Sequence, residues 1–371
     1  MVPDRFARRA QARTGHLTKA SSPAAIAAPP GPIGRALASR PLRALILLAW
    51  LTLVAACASP ELQEAGQVRH PPRLAPAAAV MEDGYRLPLR RWGDPSRARA
   101  VALGLHGFND HGNAFAALGD YLGERGVLTY AYDQRGFGTT AQRGLWAGEG
   151  RMIADLRTLV GLLRARHPGL PLYLIGESMG AAVVMAAAPE LQGVRGMVLI
   201  APAVWSRDTM PALQRQLLSA GVRTLPGLEL TGRGLGIRPT DNDPAWRLYS
   251  ADPLVIKATR IDALWGVTNL MDLATRAAPQ PRPPTLVLYG EHDEIIPRRA
   301  FCSLLAALPG EPAALRLVIY PRGWHMLMRD LQGAWVMADI AAWIDDQGAR
   351  LPSEKAVRAD GERVKRLCRH R

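Results

Sequence analysis

Chemistry enters this chain at Gly176-Glu177-Ser178-Met179-Gly180, a Gly-x-Ser-x-Gly pattern. With 35 glycines among 371 residues, composition alone gives about 0.1 accidental matches of this pattern, so its surroundings decide its worth. The apolar run Leu172-Tyr173-Leu174-Ile175 precedes it and Ala181-Ala182-Val183-Val184-Met185-Ala186 follows, which reads as strand, tight turn and helix. Such a turn needs small residues on either side of the serine. It lifts the hydroxyl clear of the backbone at a helix N-terminus, where developing negative charge is stabilised. The plain alternative is a glycine-flanked turn with an idle serine.

A serine hydroxyl is a poor nucleophile until a base removes its proton, so the reading demands an acid and a histidine in the chain order Ser, Asp, His. Asp293 in Gly290-Glu291-His292-Asp293 and His325 in Arg322-Gly323-Trp324-His325 each follow a strand-like run. Loops after successive parallel strands emerge at one edge of a sheet, the edge that carries Ser178. Of the eight histidines, His16, His70, His167 and His370 lie in the leader, the tether, a helix end and the charged tail, and His292 adjoins the proposed acid. His106, His111 and His325 remain, and His325 is read as the base. Glu291 or Glu294 is the alternative to Asp293. An acyl-transfer site also needs donors for an oxyanion. The backbone N–H groups of Met179, just after the nucleophile, and of Phe108, in Leu105-His106-Gly107-Phe108-Asn109, are the candidates. His106 is expected to support that loop, and Asp133 and Arg135 to staple the turn at Asp133-Gln134-Arg135-Gly136-Phe137-Gly138.

These residues require a scaffold that delivers them to one rim. Residues 80–92 read as a hairpin turning at Asp83-Gly84, followed by strand runs at 100–105, 127–132, 171–175, 196–200, 285–289 and 315–320. Helical patterns at 114–125, 150–167, 179–188, 298–308 and 331–346 fill most of the gaps. The alternation implies an α/β domain with a mostly parallel central sheet flanked by helices and right-handed crossovers. It breaks at about 203–276, a stretch with helical fragments and no convincing strand, which should form a mainly helical cap insertion over the carboxyl edge of the sheet. In it Leu213, Leu217, Leu218, Trp246, Trp265, Leu270 and Met271 could line an acyl slot or equally pack the cap's own small core.

His106-Gly107, Asp133-Gln134-Arg135-Gly136-Phe137-Gly138, Gly176-Glu177-Ser178-Met179-Gly180, Gly290-Glu291-His292-Asp293 and Trp324-His325-Met326-Leu327 resemble the successive motifs of the α/β-hydrolase fold. Their order and spacing are similar to the monoacylglycerol lipase and lysophospholipase group within the serine-aminopeptidase-like (S33) family. Tyr249-Ser250-Ala251-Asp252-Pro253-Leu254 in the cap resembles that group too, so the likeness spans about 80–348. It implies a cofactor-free serine hydrolase of single-chain esters with Ser178, Asp293 and His325 as triad and Phe108 and Met179 as oxyanion donors. Other activities on the same fold (aminopeptidase, thioesterase, acyltransferase) and a non-catalytic binding lipoprotein are the alternatives.

Partners follow from charge and from the termini. The net charge of +14 resolves into +7 over residues 1–56, +5 over the last 22 residues and +2 for the body, so no nucleic-acid groove is expected. Cys57, Cys302 and Cys368 are too few for a disulfide scaffold and match no zinc-ligand spacing, so no metal is expected. Arg35, Arg40 and Arg43 precede the apolar run 44–56, which is too short to span a bilayer and reads as a signal peptide. Its end, Val54-Ala55-Ala56-Cys57, resembles the lipobox of bacterial lipoproteins, with Cys57 acylated. Ala58 in place of Asp resembles lipoproteins sorted to the outer membrane, facing the periplasm. Residues 57–79 are then a flexible tether, 80–348 the hydrolase domain and 349–371 a basic, solvated tail. Oligomeric state is not legible.

Overall fold

The computed structural model describes residues 44–46, 59–64, 66–232, 234, 236–280, 282–308, 315–353, 356–357 and 361–369. The chain divides into two units, Met1–Trp50 and Leu51–Arg371. In the first, residues 44–46 are helical and exposed. The remainder of the apolar run and Cys57 lie outside the described residues. Among those described, no helix is long and apolar enough to cross a membrane.

The second unit opens with the strands β1 (Arg73–Ala75), β2 (Ala78–Val80) and β3 (Arg86–Trp92), paired antiparallel. Then β4 (Ala100–Leu105), α1 (Ala116–Gly123), β5 (Val127–Tyr132), α2 (Glu149–Arg166), β6 (Leu172–Glu177), α3 (Met179–Ala187) and β7 (Gly196–Ile200) alternate. An insertion follows with α4 (Ala212–Thr224), β8 (Glu229–Thr231), α5 (Asp243–Ala251) and β9 (Ala258–Arg260). The chain returns through α6 (Ile261–Ala277), β10 (Thr285–Gly290), α7 (Arg298–Ala307), β11 (Leu315–Tyr320), α8 (Gly333–Asp345), β12 (Ala356–Val357) and α9 (Glu362–Cys368). The main sheet runs β1-β2-β3-β5-β4-β6-β7-β10-β11-β12. Its six central strands are parallel, and every residue of β4, β5, β6, β7 and β10 is buried. Covered on both faces, such strands read as continuous apolar runs, which is why they were legible without periodicity. One face packs under α2, α3, α6 and α7, the other under α1 and α8.

Four expectations are corrected. The insertion contains a short ribbon, since β8 and β9 pair antiparallel; strands of three residues are too short to show an alternation. The insertion also ends earlier than 276: α6 is a core helix packed against α3, with Leu270 and Ala274 fully buried. The segment 57–79 is not wholly a tether. Gln63 N–H donates to the Trp146 carbonyl at 2.9 Å, and β1 and β2 pair. Nor is the tail solvated, because β12 adds antiparallel to β11 and Cys368 is disulfide-bonded to Cys302 in α7. Val364 and Leu367, three residues apart on one face of α9, are buried. The charge of the tail hid this narrow apolar stripe.

Candidate active site

Ser178 ends the turn between β6 and α3 with φ 51° and ψ −114°, a conformation that costs a non-glycine residue about 1–3 kcal/mol and persists only where the surroundings hold it. Here Ser178 N–H donates to the Ile200 carbonyl at 2.8 Å, and its own carbonyl accepts from Ala203 N–H at 3.1 Å. The flanking glycines are sterically required. A Cβ on Gly176 would lie 2.5 Å from the Ala181 backbone, and one on Gly180 would lie 2.0 Å from the Leu105 carbonyl oxygen. No real Cβ tolerates either distance, so the elbow can form only with glycine at both positions.

Three chain-distant groups meet at this rim. His325 Nε2 is 2.9 Å from Ser178 Oγ, and His325 Nδ1 is 2.8 Å from Asp293 Oδ2. A carboxylate can only accept, so Nδ1 carries the proton and Nε2 is free to take the one on Ser178. Asp293 is itself fixed, its Oδ1 accepting from the N–H groups of Ile295 and Ile296, both at 2.8 Å. Glu291 and Glu294, the alternatives, do not take this place; Glu294 instead accepts from Arg238 N–H at 2.6 Å. Burial alone would lower the pKa of the His325 imidazole, but the Asp293 charge and hydrogen bond, with the charges of Glu177 and Asp330, together outweigh it, and the net direction is upward. Asp293 and His325 sit after β10 and β11, Ser178 after β6, so neighbouring strand ends deliver all three.

The loop after β4 brings Phe108 beside Ser178. Met179 opens α3, so its N–H is among the four of that helix without an intrahelical partner. Asn109, at φ 65°, donates through Nδ2 to Thr259 Oγ1 at 2.7 Å, and its carbonyl accepts from Ile256 N–H at 2.9 Å. These bonds tie the loop to the base of the insertion. His106 is buried, with Nδ1 2.8 Å from the Gly107 carbonyl and Nε2 accepting from Gln134 N–H at 2.9 Å. Both ring nitrogens are used structurally. Asp133 and Arg135 do not pair with each other. Asp133 binds Arg90 at 2.5 Å and Gly112 N–H at 2.8 Å, while Arg135 is held between Asp83 and Asp155 at 2.7 and 2.6 Å. The turn is stapled by three ion pairs to other elements, because the two side chains leave it in different directions.

Above the serine lies a cavity of about 490 Å³. Ile237, Trp246, Val255, Ile256, Ile295 and Met326 form its apolar walls. Of the seven cap residues considered from sequence, only Trp246 borders it. Leu213 and Leu217 are exposed, Leu270 and Met271 belong to the core under α3, and Trp265 carries the Arg207 guanidinium 4.0 Å above its ring. The polar part of the lining was not recognised from sequence. Asp110 and Glu177 border it, and Tyr249 stands beneath the guanidinium of Arg329, which pairs with Asp110 at 2.7 Å. Glu177 is buried, its Oε1 has no hydrogen-bond partner among the described residues, and burial pushes its carboxyl pKa up. The available signal was the cap motif Tyr249-Ser250-Ala251-Asp252, whose Asp252 lies 3.0 Å from His111 Nε2.

Comparison with known proteins agrees in extent with this architecture. A monoacylglycerol lipase of Mycolicibacterium smegmatis is 28% identical over 268 residues, spanning 70% of this chain and 93% of that protein. The human monoglyceride lipase is 27% identical over 282 residues, spanning 73% and 90%. Among solved structures, the monoacylglycerol lipase of Paleococcus ferrophilus superimposes with TM-score 0.59 at 24% identity, covering 70% of this chain and 98% of that one. A soluble variant of the Saccharomyces cerevisiae monoglyceride lipase gives 0.62 at 18%, covering 78% and 98%. Residues 96–332 match the family described as serine aminopeptidase, S33, and with a parallel sheet that carries a serine elbow at its rim, the chain belongs to that family of α/β-hydrolases.

Proposed function

We propose that this chain hydrolyses carboxylic esters of single acyl chains, with monoacylglycerols as the substrate class, through an acyl-enzyme. The observation that carries the reading is the Ser178–His325–Asp293 relay beside a cavity lined by both apolar and polar side chains. As the Ser178 oxygen bonds the ester carbonyl carbon, its proton moves to His325 Nε2, and Asp293 stabilises the imidazolium that forms. The Phe108 and Met179 N–H groups hold the oxyanion. The ester C–O bond then breaks, and the leaving alcohol takes the proton from His325. Water repeats the sequence in reverse and releases the fatty acid.

The polar groups of the cavity lining support a hydroxyl-bearing head group. Asp110, Glu177 and Lys257 border the cavity, and glycerol hydroxyls can both donate to and accept from such groups. The relatives named monoacylglycerol and monoglyceride lipases agree with that choice.

The placement we propose is the bacterial cell envelope, with Cys57 acylated and the domain held at the outer membrane, facing the periplasm. The apolar run and the small residues before Cys57 support it. So does the Cys302–Cys368 disulfide, since such bonds persist in oxidising compartments. Ser178→Ala tests the chemistry. Hydrolysis of monooleoylglycerol and p-nitrophenyl butyrate should fall by about 10⁴-fold or more, and fluorophosphonate labelling should disappear. Wild-type turnover in that variant would refute the mechanism.

A further inference from the structure

The strand that leads to the nucleophile ends on a carboxyl group. In β6, Tyr173 and Ile175 belong to the core under α1 and α8, and by the two-residue period of a strand Glu177 continues their face. It is 4% exposed and borders the cavity above Ser178. A buried carboxyl is costly unless it is paired. Among the described residues, however, no ion pair or hydrogen bond reaches the Glu177 side chain, and its Oε1 is enclosed without a partner.

Arg329 is the cation that acts on this carboxyl most strongly. That guanidinium is already bonded through Nη2 to Asp110 at 2.7 Å, and its Nη1 is a second buried atom without a partner among the described residues. One open acceptor and one open donor thus remain in a single cluster beside the nucleophile. A hydroxyl complements both, because one oxygen donates and accepts. An alkyl group complements neither and would leave both unpaired. Burial also favours the neutral form of the Glu177 carboxyl, which offers a proton of its own. None of the steps assigned to Ser178, Asp293, His325, Phe108 or Met179 uses either group.

Glu177 adjoins Ser178 in the chain, so a hydroxyl held there lies close to the oxygen that leaves the acyl group. By microscopic reversibility, the place that releases an alcohol during acylation also receives one afterwards. We propose that Glu177, with Arg329, is the specificity-determining seat for a hydroxyl on the alcohol half of the ester, and that this seat lets diols and polyols take the acyl group from Ser178 in place of water. The inference rests on the acyl-enzyme reading above. In the transfer, the alcohol oxygen bonds the acyl carbonyl carbon while its proton passes to His325 Nε2. The bond to Ser178 Oγ then breaks, and Oγ takes that proton back, leaving a new ester and the free enzyme.

The test uses the full chain with p-nitrophenyl butyrate as acyl donor and two competing alcohols, propylene glycol and its isostere isobutanol, each with one primary hydroxyl. Release of p-nitrophenol counts the acyl-enzymes formed, and gas chromatography divides their products among butyrate, the glycol ester and the alkyl ester. In wild type the glycol should intercept the acyl-enzyme about tenfold better than isobutanol, a factor in the range of one hydrogen bond to a buried polar group. In Glu177→Leu that preference should disappear. The ratio is internal to each enzyme, so a preparation with few folded molecules still reports it. A Glu177→Leu variant that keeps the preference overturns the proposal. So does a wild type that releases p-nitrophenol without preferring the glycol, which would assign the open pair of atoms to a buried water and leave the hydrolase reading standing. If wild type releases no p-nitrophenol and fluorophosphonate does not label it, the acyl-enzyme reading fails and this inference falls with it.

Discussion

Ser178 illustrates what one residue needs from its neighbours. Its left-handed backbone is held by hydrogen bonds to Ile200 and Ala203, and its approach to His325 depends on Gly176 and Gly180 having no side chains. The histidine sets the pH response. Burial opposes the charged form, but the charge and hydrogen bond of Asp293 together with the charges of Glu177 and Asp330 outweigh it, so its pKa lies above the ordinary imidazole value of 6.5. Protonated His325 cannot accept the serine proton, so kcat/KM should rise with pH through an apparent pKa above 6.5. A stopped-assay pH series with a soluble ester measures this, and an acid limb centred below 6.5 would contradict the electrostatic account. Stability runs the other way. A folded-state pKa raised above the unfolded one contributes stability that is complete below the unfolded value and lost as pH rises through the folded value. The same ion pair that orients the base therefore gives its stabilisation where the base is inactive.

Elements position these residues by strand order. The loops after β6, β10 and β11 converge because those strands lie near one another in one parallel sheet, whatever their distance along the chain. The terminal elements contribute differently. β12 pairs with β11, the strand that leads to His325, and α9 is bonded through Cys368 to α7, which follows the Asp293 loop. The disulfide closes a stretch with a sequence separation of 66 residues, for which the loss of unfolded-state entropy stabilises by about 2–4 kcal/mol. Cys368→Ser, or reduction of the wild-type protein, should lower the thermal midpoint by several degrees while ester turnover at low temperature stays near wild type. An unchanged midpoint in both would mean that the tail contributes nothing to the fold. The buried Arg135, bonded to Asp83 before β3 and to Asp155 in α2, ties the hairpin to the helical layer in a comparable way.

The whole molecule combines a nearly neutral catalytic body, a modestly basic insertion and two strongly basic ends. If Cys57 carries the anchor, Cys57→Ser expressed in a bacterial host should abolish incorporation of labelled palmitate and alter the processing of the leader, while Ser178 stays reactive toward fluorophosphonate. Palmitate labelling that survives the substitution would sink the anchor assignment. The base of the insertion is rigidly joined to the body, Asn109 bonding Thr259 and His111 lying against Asp252. Substrate selection thus falls to the rim and walls of the cavity, and the loop carrying Phe108 stays fixed beside the nucleophile.

Local physics fixed what could be read in advance. Strands β4, β5, β7 and β11 have the ends expected of them, because buried parallel strands are apolar along most of their length. The serine, its acid and its base were legible because a strained elbow admits few residue types and the relay has a required chain order. The cavity was not. Leu270 and Met271 have the same apolar character as Val255 and Ile256, and only packing decides which pair faces the core under α3 and which faces substrate. Cys302 and Cys368 could not be paired from their spacing, since a disulfide depends on Cα atoms 5.7 Å apart in space. The polar lining of the cavity, Asp110, Glu177 and Tyr249, joins residues tens of positions apart. Composition carries no trace of such contacts, and the folded chain alone creates them.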